Sequence, residues 1–475
     1  MENTPLFFWM VPIGYLAVLL LSFLKNQRSK IVDLDNDDMS KHATDPQTQI
    51  RDIESLVDYH ETAAVLAELI HTDGAGAWPP RANHTYSTWP ESIRGYTAIY
   101  EEMAPLIPQE TPSLDDEVNK ERIESFRSRF RKLLQGKVDL VQVRSLLEAA
   151  EAGRWDVFPR DMYNAFYCCI SWSRHAYRWA TIPVVKVAQR ETIVDLPVEL
   201  VEPWEYLQRH FGCTSQAGSS TSNAMLNFDT NGKHMFRFNI RMPEKITMAE
   251  EYFSRIFYDI EITGLPIYHD MVLANIEFAR GDKAACLRYM KRITNQLRPA
   301  LATYYDNLHN GKVAISVWLS HVQGFFAWSA GYVDEKTGEY IKFDGLSGNA
   351  ALLFHAVDGF LGYDPYLSYL DQERDVPVRQ RAVAHAFKKY CFRHKLSDAP
   401  QDEGDAAIAK EFNEMVKRMR VFRSAHRMRS KQYLFAPAPE RVPMTAGKSV
   451  LKADTMDQSF PFLDVFMVQR LNQTV

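Results

Sequence analysis

Apolar side chains along this chain recur mostly at helical spacing. From about residue 246 to 434 nearly every segment repeats its apolar positions every three or four residues, and residues 53–70 do the same. Turn-forming and hydroxyl residues interrupt the pattern at 215–223 and at 330–348, and within the second break residues 339–343 have the composition of a short strand. The pattern therefore predicts a mainly α protein.

The first 30 residues differ from the rest. Residues 5–24 form an uncharged run of 20 residues, long enough to cross a bilayer with about 30 Å of hydrocarbon. Lys25, Arg28 and Lys30 follow at once, so we expect a transmembrane helix within a membrane anchor over residues 1–30. The same charges favour a globular part in the cytosol, at the endoplasmic reticulum. A cleaved signal peptide is the alternative, but it normally has positive charge before its apolar stretch and small residues after it.

Length and composition place the remainder among ordered globular proteins. With 475 residues, 46% of them hydrophobic, the chain can bury a large core. We expect a polar linker at 31–50, a smaller N-terminal helical domain at 51–240 and a large helical domain at 241–475. The net charge of −5 and the lack of a basic stripe argue against nucleic acid as a partner. Five widely spaced cysteines favour a reducing compartment over a disulfide framework.

One histidine lies in an unusual position near the end of the helical region. Phe412, Met415, Met419 and Phe422 recur at helical steps, and His426 continues this apolar row one turn later. Arginines and lysines occupy the other faces of the same predicted helix. An imidazole on the apolar side of a basic helix suits haem, which has both an iron and carboxylates. The alternative is a core histidine with a satisfied hydrogen bond.

Four segments, taken in order, resemble the indoleamine 2,3-dioxygenase family. They resemble its passage from the small domain to the distal pocket, the end of its central distal helix, its glycine–serine loop with the helix after it, and its proximal-ligand helix. The matching residues are Leu196–Trp204 with Met225–Phe228, then Gly324, then Gly345–Gly348 with Ala356–Gly362, then Phe422–His426 with Lys431–Leu434. The chain is also similar to a distant member, the tryptophan-rearranging haem enzyme of pyrrolnitrin biosynthesis.

The resemblance implies a haem b cofactor with its iron bound to His426, in the large domain. It implies that Asp358 lies near the proximal histidine and that Arg423 joins the same network beside a haem propionate. Ser347 and Gly348 correspond to the loop over the haem edge. The alternatives are a local cap or salt bridge for Asp358, a solvated helix arginine for Arg423, and an ordinary turn for the Ser347–Gly348 pair.

The distal side departs from the family pattern. With Gly324 as the anchor, the position of the family's substrate-binding arginine is Leu319, which cannot pair with a carboxylate. Free tryptophan is therefore a doubtful substrate, and an indole or related aromatic fits better. Arg255 is a candidate replacement anchor, and Ser222 belongs to the segment expected as a pocket wall. His321 is either a distal acid–base group, a second axial ligand, or a packed helix histidine.

The resemblance implies a haem-dependent dioxygenase or monooxygenase that uses O₂ and a small indole-containing or aromatic substrate. Two other functions stay open. One is a non-catalytic haem-binding protein of the same fold that serves as a sensor, carrier or accessory subunit. The other is a helical scaffold without haem, in which His426 is a core residue.

Overall fold

The computed structural model describes residues 45–74, 78, 81–109, 111–191, 193–328, 331–333, 340–342, 351–397, 400, 402–433 and 456–475. The mainly α class predicted from the sequence is confirmed over these residues. The α-helices are Pro46–Glu54, Glu61–Thr72, Glu91–Met103, Asp116–Lys137, Leu140–Glu151, Arg160–Trp179, Lys186–Arg190, Val198–Phe211, Ser220–Asn223, Glu244–Arg280, Lys283–Asn307, Ile315–Val317, Gln323–Phe326, Leu352–Phe360, Tyr369–Asp375, Val378–Lys389, His394–Ser397, Glu403–Gln432 and Met456–Gln473.

Shorter elements complete the described structure. A π-helical turn at Trp318–Val322 joins two short α-helices, and 3₁₀ turns lie at Tyr86–Thr88, Ala104–Leu106 and Met225–Asn227. Gly331–Val333 and Tyr340–Lys342 pair as two antiparallel strands, with Tyr332 opposite Ile341. The strand expected at 339–343 is thus confirmed over three of its residues.

A helical hairpin forms the centre of the C-terminal half. The long helix Glu244–Arg280 ends at Gly281, which has a φ of 81°, a value that glycine adopts at little cost. Asp282 then caps the next helix, Lys283–Asn307, by accepting a hydrogen bond from the backbone N–H of Ala285 at 2.8 Å. The two helices pack along their length, and the second also packs on Glu403–Gln432. This packing brings the end of Lys283–Asn307 beside His426.

The helix Arg160–Trp179 is the most deeply buried element of the N-terminal half. From Tyr163 to Trp179 every side chain of this helix is buried. The ring nitrogens of His175 lie 2.7 Å from the carbonyl oxygens of Ala217 and Phe325, so the core continues from one predicted domain into the other. The described residues from Gln49 to Val475 belong to one compact unit. The boundary predicted between residues 240 and 241 stays a prediction.

One part of the predicted fold was wrong for the described residues. The prediction included a transmembrane helix, yet no helix among the described residues is long and apolar enough to cross a bilayer. The long helices carry charged side chains on their exposed faces, which interrupts any apolar run of the required length. The segment 5–24, on which that prediction fell, lies outside the described residues. The linker expected at 31–50 also ends early, because a helix begins at Pro46 and buries Ile50 and Ile53.

Candidate haem site around His426

The histidine helix, Glu403–Gln432, positions the candidate ligand. Its apolar stripe is confirmed: Phe412, Met415 and Met419 are at most 1% exposed. The half-buried His426 follows on the same face, with its ring centroid 5.2 Å from that of Tyr304 and 6.0 Å from that of Phe422. The centroids of Tyr304 and Phe422 are themselves 5.6 Å apart, so the imidazole and two aromatic rings, one of them from the neighbouring helix, form a cluster of three.

The surroundings of His426 keep its ring neutral. Burial, and to a smaller extent the positive charge of Arg423, lowers the pKa of His426 to about 4. Its Nε2 atom lies 3.4 Å from the hydroxyl oxygen of Ser430, at the outer limit of a hydrogen bond. A neutral imidazole with only a weakly held nitrogen is the form that binds a metal. The chemistry of this donor fits the axial position of a haem.

A buried ion network lies one turn before the histidine. Nη2 of Arg423 donates to both carboxylate oxygens of Asp358, at 2.5 and 2.8 Å, and Arg470 donates to the same carboxylate from the C-terminal helix, Met456–Gln473. Arg423 and Asp358 are thus brought together, as the resemblance implies. In the described part of the chain, however, the hydrogen bonds of Asp358 go to these arginines and none goes to His426.

The connecting helix, Leu352–Phe360, carries Asp358 and is fixed at both ends. The backbone N–H of Leu353 donates to Oε1 of the buried Glu261 at 2.9 Å, which places an anion at the helix N-terminus. Burial raises the pKa of Glu261, and the hydroxyl of Tyr268 donates to its other oxygen at 2.5 Å. Phe354, on the same helix, stacks on Phe422 at 5.2 Å.

Two predicted pocket residues lie on the π-helical turn Trp318–Val322. Leu319 is half-buried against the core, and Nδ1 of His321 lies 2.7 Å from the hydroxyl oxygen of Ser320. The carbonyl of His321 also accepts a hydrogen bond from Asn239 at 3.0 Å. A π-helical turn is a rare feature that occurs often at functional sites. Helical periodicity in the sequence predicted an ordinary α-helix here and did not indicate this turn.

Arg255 is already neutralised by side chains of its own helix. Its guanidinium pairs with Glu251 at 2.9 Å and with Asp259 at 3.6 Å, and it donates to the carbonyl of Gly232 at 2.8 Å. The same group lies over the ring of Phe228 at 5.1 Å. With two carboxylates beside it, Arg255 is a poor anchor for the carboxylate of a substrate.

Ser222 is not among the residues that line the cavity found beside it in the described part of the chain. It is fully buried, and its hydroxyl forms a capping box with Ser219. Its neighbours Ser220 and Thr221 do line one, of about 40 Å³, which is room for a few water molecules. The other polar walls of this cavity are Asp73, Arg81, Tyr258, Glu261 and Gln380.

The contribution of Arg81 to this cavity was missed at the sequence level. Its Nη2 donates to the hydroxyl of Tyr258 at 2.9 Å and to the carbonyl of Asp229 at 3.0 Å. Arg81 lies in an irregular segment more than 140 residues from both partners, so no local pattern in the sequence signals the contact. Only the tertiary packing brings the three residues together.

The predicted loop residues Ser347 and Gly348 lie outside the described residues. Among the described residues there is no group of three or more histidine, cysteine, aspartate or glutamate side chains able to hold a metal ion. The haem prediction rests on one axial imidazole, a different kind of site. All five cysteines are buried and unpaired, in agreement with the expectation that they form no disulfide framework.

No protein-family model matches this chain, and no curated protein matches it. The resemblance to indoleamine 2,3-dioxygenases therefore stays a prediction from the motifs and their order.

Proposed function

We propose that this protein is a haem-dependent oxygenase that uses O₂ and an indole or related aromatic substrate. The observation that carries the proposal is the environment of His426. A neutral, half-buried imidazole packs against two aromatic rings, and the Arg423–Asp358 pair lies one turn before it. When bound, haem b would supply an iron able to activate O₂.

The residues around His426 have separate tasks in this proposal. His426 holds the metal, while Tyr304 and Phe422 restrict the orientation of its ring and limit the access of water. The cationic side chains of the same helix suit the carboxylates of a haem. Phe354 and Asp358 tie the connecting helix to the histidine helix, so that the ring and its neighbours form one rigid wall.

The substrate class follows from the missing carboxylate anchor. Leu319 carries no charge, and Arg255 is paired with Glu251 and Asp259. Both positions considered for binding an amino-acid carboxylate therefore favour a substrate without one. An aromatic ring system such as indole requires only apolar contacts and few hydrogen bonds.

The test is absorption spectroscopy of purified protein supplied with haemin. Wild type should show a Soret band that His426→Ala lacks, and exogenous imidazole should restore the band in His426→Gly. His394→Ala, a change at an exposed histidine, is the matched control and should keep the band. Indole should shift the wild-type spectrum, and tryptophan should not. A colourless wild type, or an unchanged band in His426→Ala, would refute the proposal.

Leu319 also favours a second candidate, a haem-binding protein of the same site without turnover. Loss of the residue that anchors substrate in the family would be expected of a sensor or carrier. Reduced, haem-loaded protein incubated with O₂ and indole distinguishes the two functions. Oxygenated product measured by mass spectrometry supports the oxygenase, whereas haem binding without product supports the second candidate.

A further inference from the structure

Arg470, on the C-terminal helix, is a charged residue held almost completely inside the protein. It is only 6% exposed, and its guanidinium lies over the ring of Tyr366 at 5.4 Å. Nη1 donates to the carbonyl of Asp364 at 3.0 Å and to the side chain of Gln473 at 3.2 Å, while Nη2 donates to Asp358. Burying an arginine is costly unless its hydrogen bonds are made, and here they hold it against Asp358.

The end of the same helix also holds the arginines of the histidine helix. Thr474, fully buried, accepts a hydrogen bond on its hydroxyl from Arg423 at 2.5 Å and on its carbonyl from Arg420 at 2.8 Å. The Thr474 hydroxyl donates in turn to the carbonyl of Arg470 at 2.8 Å. Residues 470–474 therefore form a clamp, called here the C-terminal clamp, around Asp358 and Arg423.

The clamp changes the charge next to the histidine. Asp358 alone faces two guanidinium groups, so the cluster has a surplus positive charge. Burial lowers the pKa of Arg423 and of Arg470 to about 10, and both stay charged at neutral pH. Arg423 lies three residues before His426 on the same helix, so the charge of this cluster lies about one helical turn from the imidazole.

We propose that Arg470 is a positioning residue for the metal ligand: through Asp358 and Arg423 it fixes the histidine helix and sets the charge beside His426. This inference rests on the proposed haem function and concerns Arg470, a residue that none of the four family-like segments contains. Arg470 touches neither substrate nor metal in this role. Groups of this kind around a ligand commonly change metal affinity by about 10- to 100-fold.

The experiment compares haem-loaded wild type with Arg470→Met and Arg470→Lys. Removing the positive charge should favour the ferric over the ferrous state, so the midpoint potential of Arg470→Met should fall. Its haem should also pass to an apoglobin scavenger about tenfold faster. Arg470→Lys keeps the charge and should restore most of the potential. Circular dichroism and the melting temperature check that each variant is folded.

The control is Asp464→Asn, which breaks another ion pair between the same two helices. Asp464 pairs with Arg427 at 2.5 Å and does not contact Asp358. The Asp464→Asn change removes a negative charge, so the midpoint potential of the variant should not fall. A fall equal to that of Arg470→Met would overturn the inference. If wild type retains haem and Arg470→Met has the same midpoint potential and the same rate of haem loss, this inference alone is overturned. A wild type that binds no haem overturns the proposed function and this inference with it.

Discussion

Replacing Asp358 by asparagine tests whether the ion network beside His426 stabilises the fold. The Asp358 side chain is 8% exposed, and the side chains of its partners Arg423 and Arg470 are 10% and 8% exposed. Asparagine keeps the shape of the side chain but removes its charge. Two buried guanidinium groups would then lack their counter-ion.

The expected loss is large because all three groups are shielded from water. Breaking a buried ion pair by removing one partner costs about 3–5 kcal/mol, since the other charge is left uncompensated. We expect Asp358→Asn to lower the free energy of unfolding by that amount. When Asp358→Asn is already present, adding Arg470→Met should cost less than it does in wild type or even stabilise, because it removes a surplus cation.

Urea unfolding followed by tryptophan fluorescence and circular dichroism measures this effect. Asp364→Asn is the control, because Asp364 also pairs with a cation, Lys388, but its side chain is 86% exposed. Water screens that pair, so the control should unfold near the wild-type midpoint. If the free energy of unfolding of Asp358→Asn came within about 1 kcal/mol of wild type, the two arginines would not depend on Asp358 as a buried counter-ion, and the reasoning would be wrong.

Three further predictions concern packing, pH and the thiols. Gly359→Ala should destabilise by about 1–3 kcal/mol in urea, because its Cβ would meet backbone of the helix Val378–Lys389, whereas Gly136→Ala has open space and should not. Burial lowers the pKa of His84 and His426 to about 4 and raises that of Glu250 to about 7. Between pH 6.5 and 4 the unfolded chain binds histidine protons that the folded chain does not. The free energy of unfolding should therefore decrease as the pH is lowered across this range. Glu250 opposes the trend but is outnumbered, and urea midpoints that rise as the pH falls would contradict this. The five buried cysteines should react slowly with a thiol reagent until urea exposes them, and fast reaction in buffer would contradict their burial.

The elements whose structure depends on neighbouring residues could be predicted from the sequence. The apolar row from Phe412 to Phe422 required only helical spacing, and the structure confirms the helix and its buried face. The short strand at Tyr340–Lys342 was predicted from the composition of its own segment. In each case neighbouring residues determine the outcome.

Contacts between distant segments could not be predicted from spacing. Arg470 reaches Asp358 across 112 positions, and Arg81 reaches Tyr258 across 177. Which arginine pairs with which carboxylate depends on how whole helices pack, and nothing in either segment encodes it locally. Arg255 illustrates the reverse case: its position suggested a free anchor, and the carboxylates four residues before and after it neutralise the charge.

The charges around His426 restrict the kind of ligand that this site can accept. Arg423 and Arg470 share Asp358, and Arg427 pairs with Asp464, so these three arginines share two carboxylates. A cationic ligand without carboxylates would add to this surplus of positive charge. A ligand that combines a metal with peripheral carboxylates would instead reduce the surplus while its metal binds the ring nitrogen. This balance of charge agrees with the haem proposed for the site, whether or not the protein turns over a substrate.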